Sequence, residues 1–198
     1  MKTDIFLIGP MGSGKTTIAN ELVKNGFVKT RAITTRPKRP NEPDDEYFFT
    51  NNEGFKSAVI WDDVRAIRVY STKFGIWRYG ISMKEFQQDR DTVTILDPSS
   101  FEYLAPDIGE SVFGVFLDAP EDLCKLRALA RGDDPKEVDR RIESDREDFA
   151  ELRNRDTNGI NKDIYKCIID RSIYNVNKTP STIANYIIRS IQMNGIKK

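Results

Sequence analysis

Two short apolar runs, Thr92–Leu96 and Val112–Leu117, and a third over residues 3–8 are separated by longer stretches in which apolar residues recur three or four places apart. A short run without polar alternation is a strand buried on both faces, and helical stretches between such strands predict parallel strands in an α/β layer fold. Residues 164–169 read as another strand. Ile18, Leu22 and Val23 predict one face of a helix that stops at Asn25-Gly26. Pro120, followed by Glu121 and Asp122, starts a second helix that runs to Arg131-Gly132. A third follows Pro135, with Val138, Ile142, Phe149 and Leu152 on one stripe and Arg140, Arg141, Asp145, Arg146, Glu147 and Asp148 on its surface. Thr179 and Pro180 cap a last helix whose Ile183, Ile187, Ile188 and Ile191 keep helical spacing. Between residues 33 and 82 the pattern changes. Prolines at 37, 40 and 43, the pair Phe48-Phe49 and a strand-like segment over 65–70 predict a small mixed β lobe inserted into the main fold.

The first strand runs directly into Gly9-Pro10-Met11-Gly12-Ser13-Gly14-Lys15-Thr16, which fits G-x-x-x-x-G-K-[ST] at every position. Glycines let the backbone curl until several N–H groups face one point, Lys15 adds a positive charge, and the following helix aims its N-terminus at the same place. A chance glycine-rich turn would lack the strand before it and the helix after it. The expected site for ATP phosphates comprises Gly9, Gly12, Ser13, Gly14, Lys15, Thr16 and Thr17, with the Thr16 hydroxyl on Mg2+. Two strands end in aspartates, Asp97 and Asp118, where ligands of open α/β sheets gather. Asp97 has two readings: it orients magnesium through water, or it caps the helix beginning at Pro98-Ser99.

Composition narrows the function. The 198 residues carry 31 Lys and Arg against 31 Asp and Glu, so no global basic field points to a nucleic-acid partner. There is no histidine, and Cys124 and Cys167 form no C-x-x-C, which leaves no plausible zinc site and makes a reduced, cytoplasmic setting the simplest expectation. The chain enters its first strand without a charged leader or long apolar segment, so no export or membrane insertion is expected. No linker separates two cores, and one domain over residues 1–198 is expected, as a monomer or homodimer. Hydrolases and acyl transferases usually need a base titrating near neutrality, which histidine would supply. Phosphoryl transfer to a phosphate does not, because the acceptor oxygen is already anionic.

Thr34-Thr35-Arg36-Pro37-Lys38-Arg39-Pro40-Asn41-Glu42 and Asp45-Glu46-Tyr47-Phe48-Phe49 resemble the T-T-R-x-x-R-x-x-E and Y-x-F elements of the guanylate kinase family. Gly75-Ile76-Trp77-Arg78-Tyr79-Gly80 is similar to that family's G-N-Y-Y-G, Thr94-Ile95-Leu96-Asp97 to its I-L-D strand end, and Arg131-Gly132 with Arg140-Arg141 to its lid. The resemblance spans nearly the whole chain in the family's order. It implies a P-loop parallel sheet flanked by helices, a nucleoside-monophosphate lobe over 33–82 and a helical lid over 127–155. It also implies an ATP- and Mg2+-dependent kinase acting on a nucleoside monophosphate, GMP or dGMP by default. Arg36, Arg39, Tyr47 and Tyr79 would hold the acceptor phosphate, with Asp97 beside the acceptor. Lys15, Arg131 and Arg141 would act on the transferring phosphoryl group. Chemistry agrees: arginine offers phosphate a planar fork, and tyrosine hydroxyls add neutral donors. An isolated basic turn at 36–39 would instead be a solvated surface. Arg127 and Arg140 read as solvated helix residues paired with acidic neighbours.

Three positions depart from the family. A serine, an acidic residue and a second aspartate that help read guanine fall on Ala32, on or near Val69 or Tyr70, and on Ser99. A pocket without a carboxylate for guanine's N1 and N2 hydrogens loses preference for guanine unless Glu42, Glu53, Asp62 or Asp63 swings in. Two alternatives follow: the same chemistry on a pyrimidine or modified nucleotide, or a non-catalytic binding module of guanylate kinase type. The second sits poorly with Lys15, Thr16 and Arg131 all being present.

Overall fold

A computed structural model describes residues 2–39, 42–44, 46–72, 74–154, 165–169 and 178–195. Its main sheet is parallel, with β1 (Asp4–Ile8) at the centre, flanked by β7 (Thr92–Leu96) and β8 (Val112–Leu117). β2 (Val28–Lys29) pairs outside β7 and β9 (Tyr165–Ile169) outside β8, giving the order β2-β7-β1-β8-β9. The expected strands are therefore present, the first beginning at Asp4; residue 164 of the last lies outside the described residues. β2 is too short to carry a pattern of its own. The buried charge on β1 is satisfied: Asp4 accepts from Thr92 Oγ1 at 2.7 Å and Ser111 Oγ at 2.6 Å.

Side chains alternate across this sheet, as the strand period of two requires. Ile5 and Leu7 face a layer built by α1 (Lys15–Lys24) and α7 (Pro180–Gly195), while Phe6 and Ile8 face α3 (Pro98–Ile108). On α1 the buried residues are Ile18, Ala19 and Leu22; Val23 is exposed, so the packed face is rotated from the expected one. Gly26 adopts φ 97° and its N–H reaches Val23 O, ending the helix. On α7, Thr179 Oγ1 accepts from Thr182 N–H at 3.2 Å, and Ile183, Ala184 and Ile187 enter the core with Ile188 and Ile191 packed against it.

A second, mixed sheet has the order β4-β3-β6-β5, from β3 (Ile33–Thr34), β4 (Phe48–Phe49), β5 (Val64–Thr72) and β6 (Gly75–Ser82). The lobe also contains a helix not expected from the sequence, α2 (Asn52–Trp61), capped by Asn51, which accepts from Gly54 N–H at 2.8 Å. Phe55, Ala58 and Val59 seat it on Ile33 and Val64. Gly80 allows that fit: a Cβ there would lie 2.4 Å from Val64 Cγ1.

Three helices follow β8: α4 (Glu121–Ala130), α5 (Pro135–Asp148) and α6 (Ala150–Asn154). The expected single stripe is split. Val138 and Ile142 pack on Ala128 and Met11, whereas Phe149 and Leu152 join the core under α3, because the chain leaves helical geometry at Phe149 (φ −106°, ψ 4°).

Candidate active site

The loop after β1 is shaped by contact as well as by conformation. Gly12 and Gly14 take φ 74° and 100°, values that disfavour a side chain, and a Cβ on Gly9 would meet Leu117 O at 2.1 Å. Lys15 Nζ lies back over the loop, donating to Gly9 O at 2.6 Å and Pro10 O at 2.7 Å. Burial lowers its pKa to about 8, with nearby Asp145 and Cys124 opposing and Arg131 assisting. Met11 N–H donates to Asp145 Oδ2 at 2.6 Å, so an anionic oxygen already sits on a loop amide. Arg127 Nη1 donates to Gly12 O at 3.1 Å; this residue braces the loop and is not merely a solvated helix residue. Ser13 is buried, and Thr16 and Thr17 are exposed on the first turn of α1.

The T-T-R-x-x-R-x-x-E segment folds around its own side chains, although Pro40, Asn41 and the nearby Asp45 lie outside the described residues. Thr34 Oγ1 accepts from Arg36 N–H at 3.1 Å and donates to Arg78 O at 2.9 Å, while Thr35 Oγ1 accepts from Arg78 N–H at 2.9 Å. The two threonines thus tie the start of the turn to β6. Glu42 closes it: Oε1 takes Arg36 Nη2 at 2.5 Å and Oε2 takes Arg39 N–H at 3.1 Å. Burial would raise the Glu42 pKa, but Arg36 and Arg39 hold it below the usual carboxylate range. The Arg36 guanidinium lies 5.2 Å from the Tyr47 ring centre and 5.5 Å from that of Phe49. Tyr47 meets Tyr79 edge-on at 6.0 Å, and burial pushes its hydroxyl up to about 12, so it stays a neutral donor.

Lys15, Arg36, Arg39, Tyr47, Tyr79, Arg140 and Arg141 all line one cavity of about 330 Å³ between the two sheets and α5. Burial lowers the Arg39 pKa, and so do Arg36 and Arg141, which marks cations converging without enough anion between them. Arg140 and Arg141 both bond Glu137, at 2.8 and 3.1 Å, so the expected acidic pairing of Arg140 is present within the cavity wall. Arg131 does not line the cavity; it pairs with Asp133 at 2.5 Å and acts on Lys15 through its charge. Arg155, the last residue of the expected lid, lies outside the described residues.

Asp97 takes the cap reading. Its Oδ1 accepts from Ser100 N–H at 2.9 Å and Ser99 Oγ at 2.8 Å, and its Oδ2 from Ser100 Oγ at 2.6 Å. Arg68 Nη2 adds an ion pair to Oδ1 at 2.7 Å. The side chain therefore caps α3 and holds Arg68 as well. Asp118 is buried and takes Arg153 Nη2 at 3.2 Å.

The expected guanine-reading positions stay without an acid. Ala32 and Tyr70 line the cavity, Val69 is exposed on the outer face of β5, and Ser99 donates to Asp97. None of Glu42, Glu53, Asp62 and Asp63 lines the cavity; Glu42 holds Arg36, Asp62 pairs with Lys84 and Asp63 with Arg65. Sequence reasoning missed Arg68, Glu137, Asp145 and Asp148, which do line it. For Arg68 a signal existed, since it stands two residues from Tyr70 and strand alternation puts both on one face.

A family model described as an AAA domain matches residues 5–150. A guanylate kinase of Syntrophus aciditrophicus (strain SB) is 26% identical over 171 residues, covering 83% of this chain and 81% of that protein. The crystal structure of guanylate kinase from Anaplasma phagocytophilum superposes with a TM-score of 0.67 at 20% identity, covering 98% of this chain and 86% of that one. Shikimate kinase from Acinetobacter baumannii, in complex with shikimate, gives 0.54 at 14% identity, over 98% of this chain and 95% of its own. Both structures share the P-loop α/β fold, and the likeness to guanylate kinases read from the motifs is borne out. No described helix is long and apolar enough to cross a membrane. With its glycine loop built around Lys15 and the family match running from β1 through α5 to the start of α6, the chain belongs to the AAA domain family.

Proposed function

We propose that this protein is an ATP-dependent nucleoside monophosphate kinase. An oxygen of the acceptor's phosphate attacks the γ-phosphorus of ATP, the bond to the β-phosphate oxygen breaks, and ADP leaves with that electron pair. The carrying observation is that the loop lysine, the arginine–tyrosine clamp and the helical arginines Arg140 and Arg141 line a single cavity. Lys15 follows the transferring group, and Arg36, Arg39, Tyr47 and Tyr79 fix the acceptor phosphate. Arg141 neutralises charge at the reaction centre from inside the cavity wall, and Arg131 from further off. Asp145 holds the Met11 N–H and must release it before that amide can meet a phosphate. Mg2+ arriving with ATP would be held by the exposed Thr16 hydroxyl and would neutralise β- and γ-phosphate charge. The unit acts as one domain, with the lobe over 33–82 and the lid over 127–155 closing to exclude water.

GMP or dGMP is the default acceptor of the guanylate kinases that the chain resembles. The absence of an open carboxylate at the expected base-reading positions favours a second reading, the same reaction on another base. An ADP-release assay over the common ribo- and deoxynucleoside monophosphates tests both. ADP production that requires one monophosphate is expected; none with any acceptor overturns the kinase reading.

A further inference from the structure

Ala32, Ala66, Arg68, Tyr70, Asp97 and Ser100 are among the residues lining the cavity, Asp97 standing just after β7. The two alanine side chains offer no hydrogen bond. Asp97 is filled by Arg68, Ser99 and Ser100, as described above. Arg68 is different. Its Nη2 is anchored on Asp97 Oδ1 and on Ser99 Oγ, but among the described residues no acceptor meets its Nη1 or its buried Nε. The Arg68 side chain is 38% exposed and lines the cavity, so the part of the guanidinium that Asp97 does not hold is open to a ligand that supplies an acceptor.

The backbone directs this side chain. The ladder of β5 against β6 shifts register between Arg65 and Arg68, with Ala66 in the left-handed region at φ 51°. Past that irregularity Arg68, Tyr70 and Thr72 share the cavity face while Val69 is exposed. Arg68 then reaches from the lobe to the start of α3, whereas the phosphate clamp is anchored elsewhere, on Glu42 and β4.

Resting on the kinase reading, we propose that Arg68 reads the acceptor's base, donating to a ring-edge oxygen at C6 of a purine or C4 of a pyrimidine. That atom is the one farthest from the ribose, and a guanidinium donor favours an oxygen over an amino group there. The substrate class is an oxo-base monophosphate: guanine, hypoxanthine, uracil or thymine in preference to adenine or cytosine. None of the expected base-reading positions, Ala32, Val69, Tyr70 and Ser99, offers guanine's 2-amino group a carboxylate. Asp148 is the nearest rival, since it lines the cavity and acts electrostatically on both Arg68 and Tyr70.

The test compares the native chain with Arg68→Ala and Arg68→Gln on GMP, IMP, UMP, dTMP, AMP and CMP. Two readouts are needed: kcat/KM from ADP release, and calorimetric binding of each monophosphate without ATP. The glutamine variant keeps a donor for Asp97 and guards against misfolding of the alanine variant. For the native protein, GMP and IMP should agree within about threefold. Either substitution should lower the oxo-base values about 10- to 100-fold, the loss of one charge-assisted hydrogen bond, and leave AMP and CMP within about threefold. Equal losses on every base would make Arg68 a brace between lobe and core and overturn the proposal, as would no change. A preference for GMP over IMP above tenfold would assign the reading to a carboxylate such as Asp148. Oxo-base binding that depends on Arg68, without turnover, would sustain this inference and defeat the kinase reading alone. No binding of any monophosphate would defeat both.

Discussion

Glu42 holds the proposed acceptor clamp through Arg36 without lining the cavity, and Glu42→Ala isolates that support. Its ion pair with Arg36 is nearly dry, with side-chain exposures of 10% and 4%. Removing one partner of a fully buried pair costs about 3–5 kcal/mol, because the remaining charge is stranded. Arg36 would keep Pro37 O at 2.8 Å and the faces of Tyr47 and Phe49, so the expected loss is smaller, about 2–3 kcal/mol. For a domain of this size that lowers the melting temperature by about 4–12 °C. The carboxylate also holds the Arg39 N–H, so the turn loosens and acceptor KM rises about tenfold or more while ATP KM stays within about threefold. Phosphate should stabilise the variant more than the native protein, since it replaces the missing anion beside Arg36. Thermal melts with and without phosphate, followed by initial rates at varied acceptor and ATP, measure all three effects. Native stability with unchanged acceptor KM would refute the reasoning.

Further outcomes are expected. Lys15→Ala should remove most turnover and leave the melting temperature near native, because Lys15 bonds only loop carbonyls; full activity would end the P-loop assignment. In the free enzyme kcat/KM for ATP should fall as pH rises past about 8, where buried Lys15 gives up its proton, and Lys15→Arg should abolish that limb. The same lowered pKa means the native state binds fewer protons than the unfolded chain between about 8 and 10.5, so this group's contribution to stability increases with pH across that window. Gly80→Ala should cost about 1–3 kcal/mol in urea unfolding, since its Cβ would meet Val64 Cγ1 at 2.4 Å and push α2 from the lobe sheet. Arg141→Ala should lower kcat more than Arg131→Ala, because only Arg141 lines the cavity, and equal effects would show that lid closure brings both to the phosphate.

How much the chain disclosed in advance depended on whether a residue's role is local. The glycine loop and the strand before it are built from contacts within a few positions, so spacing was enough to find them, whereas the Thr34-Thr35-Arg36 turn, tied to Arg78 on β6, was legible only through its resemblance to guanylate kinases. α2 was missed although Phe55, Ala58 and Val59 have helical spacing, because the prolines and aromatics around it pointed to strands. The stripe on α5 was misread for the opposite reason: a regular spacing ran across a break at Phe149 that only packing against the core imposes.

The cavity's acids were illegible on a different ground, and for Arg68 its alternation with Tyr70 was the only signal. A charge on a helix surface or a strand reads as solvated until a facing element is known, and here the facing elements lie far off in sequence. Asp145 meets Met11 across 134 positions and Arg68 meets Asp97 across 29. The motifs therefore point to where phosphates would bind, largely through groups close together in the chain, while the residues proposed to tell one base from another come from β5, β7 and α5 and converge only after folding. That separation has a chemical basis: the phosphate is shared by every acceptor and one compact turn can bind it, whereas the base must be met at its far edge by whichever side chains the sheets bring there. On the proposed assignment a change at Arg68 would accordingly alter the acceptor without disturbing any motif by which the fold was found.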